Sequence, residues 1–359
     1  MRPYSSFLHG RIASVAMVCT LAVLGCAAVE FGYRVHAQRS VLALTNWRAL
    51  RIEYQSFGSA GKFDPLLGWA YKEWNEDDDH NTIVHGLRRN SEEQDDQIRA
   101  GAILAVGDEF THGGWDLDDD ETWPAQLERL VGTPVLNGAV LGYATDQIVL
   151  RAEQLLPLLR PKALILGFVG EEIPRASHSS YGSSKPYFKL ENGELKYHAP
   201  EPPIVHDEAT PAWQARVRDI LGHSAVLDVV LGLTAPHYWT GTAGQQVFKR
   251  IDNDPAGVTC ALLARLKRRT DADGIRLLLF MQHGQRVVTQ KEHPGEDAKK
   301  VAQCATTTGI EVLDQFETLR AMAFATRDGL RDLYGKGLMS AKGNRHAAEL
   351  LARTIDKQP

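Results

Sequence analysis

From residue 100 onward the chain alternates short apolar runs with amphipathic stretches, and this alternation limits the fold more than any other feature. The runs are AILAV (102–106), PVLNGAV (134–140), ALILGFV (163–169), IRLLLFM (275–281) and IEVLD (310–314). Each has about the length of a strand buried on both faces, as a parallel sheet covered by helices requires. Between them lie WPAQLERLV, DQIVLRAEQLLPLLR, VTCALLARLKRRT and EDAKKVAQCATT, whose apolar residues recur at three and four. Strand and helix in strict succession predict an α/β fold, one doubly wound parallel sheet of about five strands with helices on both faces. NRHAAELLARTI (344–355) reads as a closing helix.

Upstream of the alternation, residues 12–29 carry no charge over 18 positions, roughly the span of a bilayer core, and Arg2 and Arg11 precede them. The positive-inside rule keeps residues 1–11 in the cytoplasm, makes 12–30 a transmembrane signal anchor and sends the rest outward. A cleaved signal peptide, or lipoprotein processing at Cys26, is the competing expectation. Residues 31–60 read as a helical stalk, and 61–359 as the main domain, with an insertion at about 175–240 where the alternation lapses. If that domain is extracytoplasmic, Cys260 and Cys304 are in a compartment that permits a disulfide; a bond and two buried thiols both stay open. The net charge of −5 supplies no basic field for nucleic acid, and the four cysteines include no CxxC pair for a structural zinc site.

Inside the insertion, ENGEL predicts a hairpin, and Tyr181, Tyr187, Phe188 and Trp239 in or beside it are candidates either for stacking on sugar rings or for core packing. The acidic runs NEDDDH (75–80) and DLDDDE (116–121) read as solvated loops, with cation sites as the alternative. Thr122 and Pro124 carry the signature of a helix start.

In doubly wound folds ligands sit beyond the carboxyl ends of the strands. There the chain places GDEFTHGG (107–114), GFVGEEIPR (167–175) and DLYGKGLMSAKGN (332–344). LAVGDEFTHG, ETWPAQLE, VLNGAVLGYATDQ, GFVGEEIPR and GLMSAKGNRHAAELLA resemble, in order, successive blocks of the SGNH/GDSL hydrolase family, notably its membrane-anchored bacterial members. The resemblance spans roughly residues 60–356. It implies a flavodoxin-like sheet, no cofactor, a single-pass bacterial inner-membrane protein with its main domain in the periplasm or outside the cell, and a polysaccharide or envelope-protein partner.

It also implies a site whose chemistry has been replaced. Glu109 stands where the family has its nucleophilic serine. Gly142 matches the glycine whose N–H helps bind the oxyanion, Glu171 takes the place of an asparagine donor, and Glu172 follows it. Leu338 occupies the histidine place, and the aspartate place falls on Gly335 or Lys336. Acyl transfer by serine needs a nucleophile, a base and aimed donors together, so the resemblance implies a catalytically degenerate member. Three expectations follow for the altered pocket of Asp108, Glu109, Gly142, Glu171, Glu172 and Lys336. Glu109 and Lys336 form an ion pair; or Asp108, Glu109, Glu171 and Glu172, with His112, hold a cation, Asp108, Glu109 and Glu171 being the named candidates; or Glu109 and Glu171 act as a carboxylate pair of the glycosidase kind. His283 and His346 are expected to be structural, with His283 the one placed to reach the rim.

Overall fold

The computed structural model describes residues 4–42, 44–58, 60–73, 82–91, 94, 101–114, 116–203, 211–241, 247–289 and 294–355, with 4–13 as backbone alone. The acidic run at 75–80 lies outside the described residues.

In chain order, helix α1 (Tyr4–His36) and α2 (Trp47–Phe57) precede a hairpin of β1 (Gly61–Asp64) and β2 (Gly68–Tyr71), and two short strands, β3 (Thr82–Ile83) and β4 (Leu87–Arg88). The alternating region follows: β5 (Ile103–Val106), α3 (Glu109–His112), α4 (Trp123–Val131), β6 (Val135–Asn137), α5 (Thr145–Leu159) and β7 (Ala163–Val169). After a 3-10 segment (Gly170–Ser177) come β8 (His178–Ser184), β9 (Tyr187–Glu191) and β10 (Glu194–His198), then helices α6 (Ala212–Leu221), α7 (Ala225–Thr234) and α8 (Pro236–Thr240). The chain ends with β11 (Val247–Arg250), α9 (Pro255–Ala272), β12 (Arg276–Gln282), α10 (Gln285–Thr289), α11 (Glu296–Thr307), β13 (Glu311–Asp314), α12 (Phe316–Ala325), α13 (Gly329–Leu333), the small hairpin β14 (Tyr334–Gly335) and β15 (Leu338–Met339), and α14 (Ala341–Ile355).

The central sheet has the order β13-β12-β7-β5-β6-β4-β3. Its five parallel strands are the five apolar runs, in flavodoxin-like order, with the first strand between the second and third. The antiparallel β3 and β4, which extend the sheet past β6, were not expected from the sequence pattern. Successive residues point to opposite faces, so each run feeds two cores. Leu104, Val106, Leu164, Leu166, Leu279 and Met281 pack in one with Ile148, Leu155, Leu262 and Val301, from α5, α9 and α11. Ile103, Ala105, Ile165, Leu278 and Phe280 pack in the other with Trp123, Leu127, Ala347 and Leu351, from α4 and α14.

Local chemistry sets the element ends. The Thr122 hydroxyl accepts the Ala125 N–H at 3.4 Å, and proline stands in the first turn of α4. ENGEL turns between β9 and β10 with Asn192 at φ 53° and Gly193 at φ 84°, both in the left-handed region that a tight two-residue hairpin turn demands. Cys260 on α9 and Cys304 on α11 are disulfide-bonded, which resolves the open alternative.

Two boundaries differ from expectation. The stalk is not one helix: α1 ends at His36 and α2 begins at Trp47. The chain also divides into two compact units, residues 1–56 with 203–244, and residues 57–202 with 245–359, so the second half of the insertion belongs with the N-terminal helices. In the first unit Arg51 grips Asp228 with both ends of its guanidinium (2.8 and 2.7 Å), Trp239 donates its indole N–H to the same aspartate at 2.9 Å, and Arg48 donates to the Trp239 carbonyl at 2.5 Å. Ser14–His36 within α1 is long and apolar enough to cross a membrane, a property that a signal sequence shares.

Candidate functional site

The site lies beyond the carboxyl end of β5, between β6 and β7, where the strand order reverses. Gly107 leaves the strand where a Cβ would fall 2.2 Å from the Thr111 hydroxyl, so only glycine lets the chain turn there. Asp108 caps α3, one carboxylate oxygen accepting the Phe110 N–H at 2.9 Å. Glu109 is therefore the first residue of that turn of helix, its side chain directed at the loop after β6.

There the backbone of Gly142, at φ 76°, aims its N–H at Glu109 Oε2 at 3.0 Å. The β1–β2 hairpin holds this loop in place: Trp69 donates to the Leu141 carbonyl at 3.1 Å, the Tyr143 hydroxyl donates to the Trp69 carbonyl, and the two rings meet edge to face. Arg175, from the segment after β7, completes the arrangement with a two-point grip on Glu109, Nη2 to Oε1 at 2.7 Å and Nη1 to Oε2 at 3.2 Å. Burial pushes the Glu109 carboxyl up, but Arg175 and the Gly142 N–H outweigh it and hold the group below the usual carboxylate range. The donor that the resemblance assigns to an oxyanion already has an anion.

Glu172 is the second carboxylate on Arg175, Oε1 to Nη2 at 2.7 Å. It is buried and shares a guanidinium already committed to Glu109, so burial prevails and pushes its carboxyl up to about 7. Asp108 is fully buried, and one of its carboxylate oxygens has no hydrogen-bond partner. Ligand atoms of Asp108, Glu109 and Glu172 all lie within 4.8 Å of one another, a group able by proximity to hold a cation. The single guanidinium pairs with both Glu109 and Glu172 and offsets one of their charges, which weighs against a metal ion there. Arg175 also lies 5.1 Å from the centre of the Tyr181 ring.

Several expectations are corrected. Lys336 does not pair with Glu109. It is exposed, at φ 48° in the turn between β14 and β15, and its ammonium is 2.5 Å from Asp116. Glu171 is not part of the carboxylate group; it is exposed and accepts the Gly284 N–H at 2.9 Å, so the Asp108–Glu109–Glu171 ligand set does not form, and of the expected Glu109–Glu171 pair Glu109 is bonded to Arg175 and Gly142, Glu171 to Gly284. His112 is buried with its ring against Tyr71, 5.2 Å between centroids. Leu338 packs with Phe110, Val169 and Met339 in an apolar cluster. The 116–121 run is pinned as well as solvated: Asp119 and Asp120 accept from Arg88 and Arg129, and Arg88 also donates to the carbonyls of His112, Gly114 and Leu117.

His283 is buried and has a partner, its Nε2 2.7 Å from Asp314 across the ends of β12 and β13, with the Tyr334 hydroxyl donating to its carbonyl. His346 lies 3.0 Å from the Thr318 hydroxyl. Phe188 and Trp239 are core residues, and Tyr187 stacks on His198, which leaves Tyr181 as the aromatic beside the site. The residue that sequence reasoning missed is Arg175. Its signal was present in GEEIPR, where Glu172 and Arg175 stand three apart and pair in the 3-10 turn.

No protein-family model matches the chain, and no curated protein matches it. Solved structures similar to it include the psychrotrophic esterase EstA of Pseudoalteromonas sp. (11% identity, 72% of this chain and 97% of that chain, TM-score 0.37). An acetyl xylan esterase, AlAXEase, is similar over 71% of this chain and 99% of that one, with 11% identity and a TM-score of 0.40. A GDSL-like lipase of Bacteroides thetaiotaomicron is similar over 72% and 88%, with 10% identity and a TM-score of 0.37.

Proposed function

We propose that the protein is a membrane-anchored, extracytoplasmic SGNH-like protein without serine-type catalysis, a binding or assembly factor for a cell-envelope polysaccharide. One observation carries the reading: the Glu109 carboxylate is seated on the Gly142 N–H and clamped by Arg175, where an attacking serine and a developing oxyanion would both need room. Leu338, packed in an apolar cluster at the histidine place, supplies no base. The anchor reading draws support from the apolar length of α1, and the extracytoplasmic reading from the Cys260–Cys304 bond, which persists in oxidising compartments. Incubation of the full chain with a fluorophosphonate probe and with acetyl esters tests the loss of chemistry; the expected result is no labelled serine and no turnover above buffer. A labelled serine would refute the reading outright.

A second reading, an esterase or O-acetyl-transfer enzyme using other residues, is favoured by one feature, the Glu172 carboxyl poised at about 7, a value suited to proton transfer at neutral pH. Acetyl release that disappears in Glu172→Gln would establish it.

A further inference from the structure

Six exposed large apolar side chains fall on α6, α7 and α8 of the first unit: Trp213, Val217, Ile220, Val230, Leu233 and Tyr238; Leu42, Leu44, Leu50 and Tyr54 of the same unit are exposed as well. Those on α6 and α7 are arranged by helix geometry. Trp213, Val217 and Ile220 recur at four and three along α6, on the side away from the buried Arg218. On α7, Val226, Val230 and Leu233 form a stripe opposite Asp228, which turns inward to Arg51 and Trp239. With ten residues, α7 is too short to cross a bilayer, and its outer stripe is too exposed for a core helix.

The start of α7 is fixed to α1. Glu30 accepts the N–H groups of Ala225 and Val226 (2.8 and 3.1 Å) and the Ser224 hydroxyl (2.8 Å), so an α1 side chain caps the first turn of α7. Residues 14–29 of α1 below this clamp are exposed throughout, as expected of a stretch covered by lipid, and Glu30 ends the uncharged segment. The first unit thus brings two apolar helical stripes to the point where the chain would leave the membrane.

We propose that α6 and α7 lie on the bilayer surface as an interfacial platform, with the stripes from Trp213 to Ile220 and from Val226 to Leu233 inserted among the outer-leaflet phospholipids. Trp213 and Tyr238 have the amphipathic rings that favour the headgroup level. The charged residues of the two helices, Arg216, Arg218, Asp219 and Asp228, balance, so apolar burial and not lipid charge provides the attraction. This proposal rests on the reading of α1 as a retained anchor.

The test uses the full chain, with Cys19 and Cys26 replaced by serine, in phosphatidylcholine/phosphatidylglycerol nanodiscs. An environment-sensitive fluorophore is placed on a single added cysteine at Val217, at Leu233, or at Leu158, an exposed leucine of the other unit. We expect spin-labelled lipid to quench the labels at 217 and 233 about threefold more than the one at 158, and aqueous iodide to do the reverse. Equal access of iodide to all three sites overturns the proposal, and so does protection of 217 and 233 from both quenchers, which would mean that protein covers them. Intact mass of the parent chain, with Cys26 in place, and of the labelled chain separates the failures: a chain lacking α1 defeats the anchor reading and the platform together, whereas an intact chain with iodide-accessible labels defeats the platform alone.

Discussion

Arg175 holds two carboxylates of unlike character, and the difference can be measured. With Arg175→Ala the Glu109 carboxylate keeps the Gly142 N–H but loses its counter-ion in a largely buried site, and we expect a loss of ~3–5 kcal/mol at neutral pH by urea titration. The loss should shrink in acid, because the Glu109 carboxyl is held low: its stabilisation is present above the ordinary carboxylate value and disappears as pH falls through the lowered one. Glu172 has the opposite sign. With its folded value raised from 4.5 to about 7, its neutral form favours the fold, and that contribution is lost as pH rises through 7. Glu172→Gln should match the parent below pH 4.5 and exceed it by roughly 3 kcal/mol above pH 8. A variant no more stable than the parent at pH 8 would show that Arg175 compensates Glu172 fully.

At the scale of elements, α9 and α11 on one face of the sheet are joined by a disulfide that closes a separation of 44 residues. The double replacement Cys260→Ala and Cys304→Ala should lower stability by roughly 4 kcal/mol, the chain-entropy expectation for a loop of that length, read as a shift in the urea midpoint. These helices and the strands between them were legible in the sequence because their signals are local: doubly buried strands as apolar runs, α4 in Thr122 and Pro124, the β9–β10 turn in Asn192 and Gly193. The β3–β4 extension was not, since two-residue strands carry no periodicity. The partner of Glu109 was missed for another reason. Arg175 lies 66 residues away, and its side chain reaches the site only because the chain turns sharply after β7, whereas Lys336, placed at the rim by the resemblance, is turned outward by its own left-handed backbone.

For the whole molecule, the least legible feature was the grouping of residues 203–244 with residues 1–56, which depends on contacts such as Glu30 with Ala225 and Arg51 with Asp228 that no local pattern announces. By contrast, the general place of the site was readable, because a doubly wound sheet opens where its strand order reverses. The seating of Glu109 has a consequence for the stability of that entire unit. A carboxylate on a two-carbon stem that fills a slot of one guanidinium and one backbone N–H amounts to a small-molecule anion bound at very high local concentration. Glu109→Gly should cut the tether and leave the slot, making the unit's melting temperature a titration of free acetate or formate, rising with the logarithm of their concentration once it exceeds the dissociation constant. In that variant folding and anion binding become a single linked equilibrium, and a flat response to acetate, with chloride as the ionic-strength control, would mean that the slot collapses without its own glutamate.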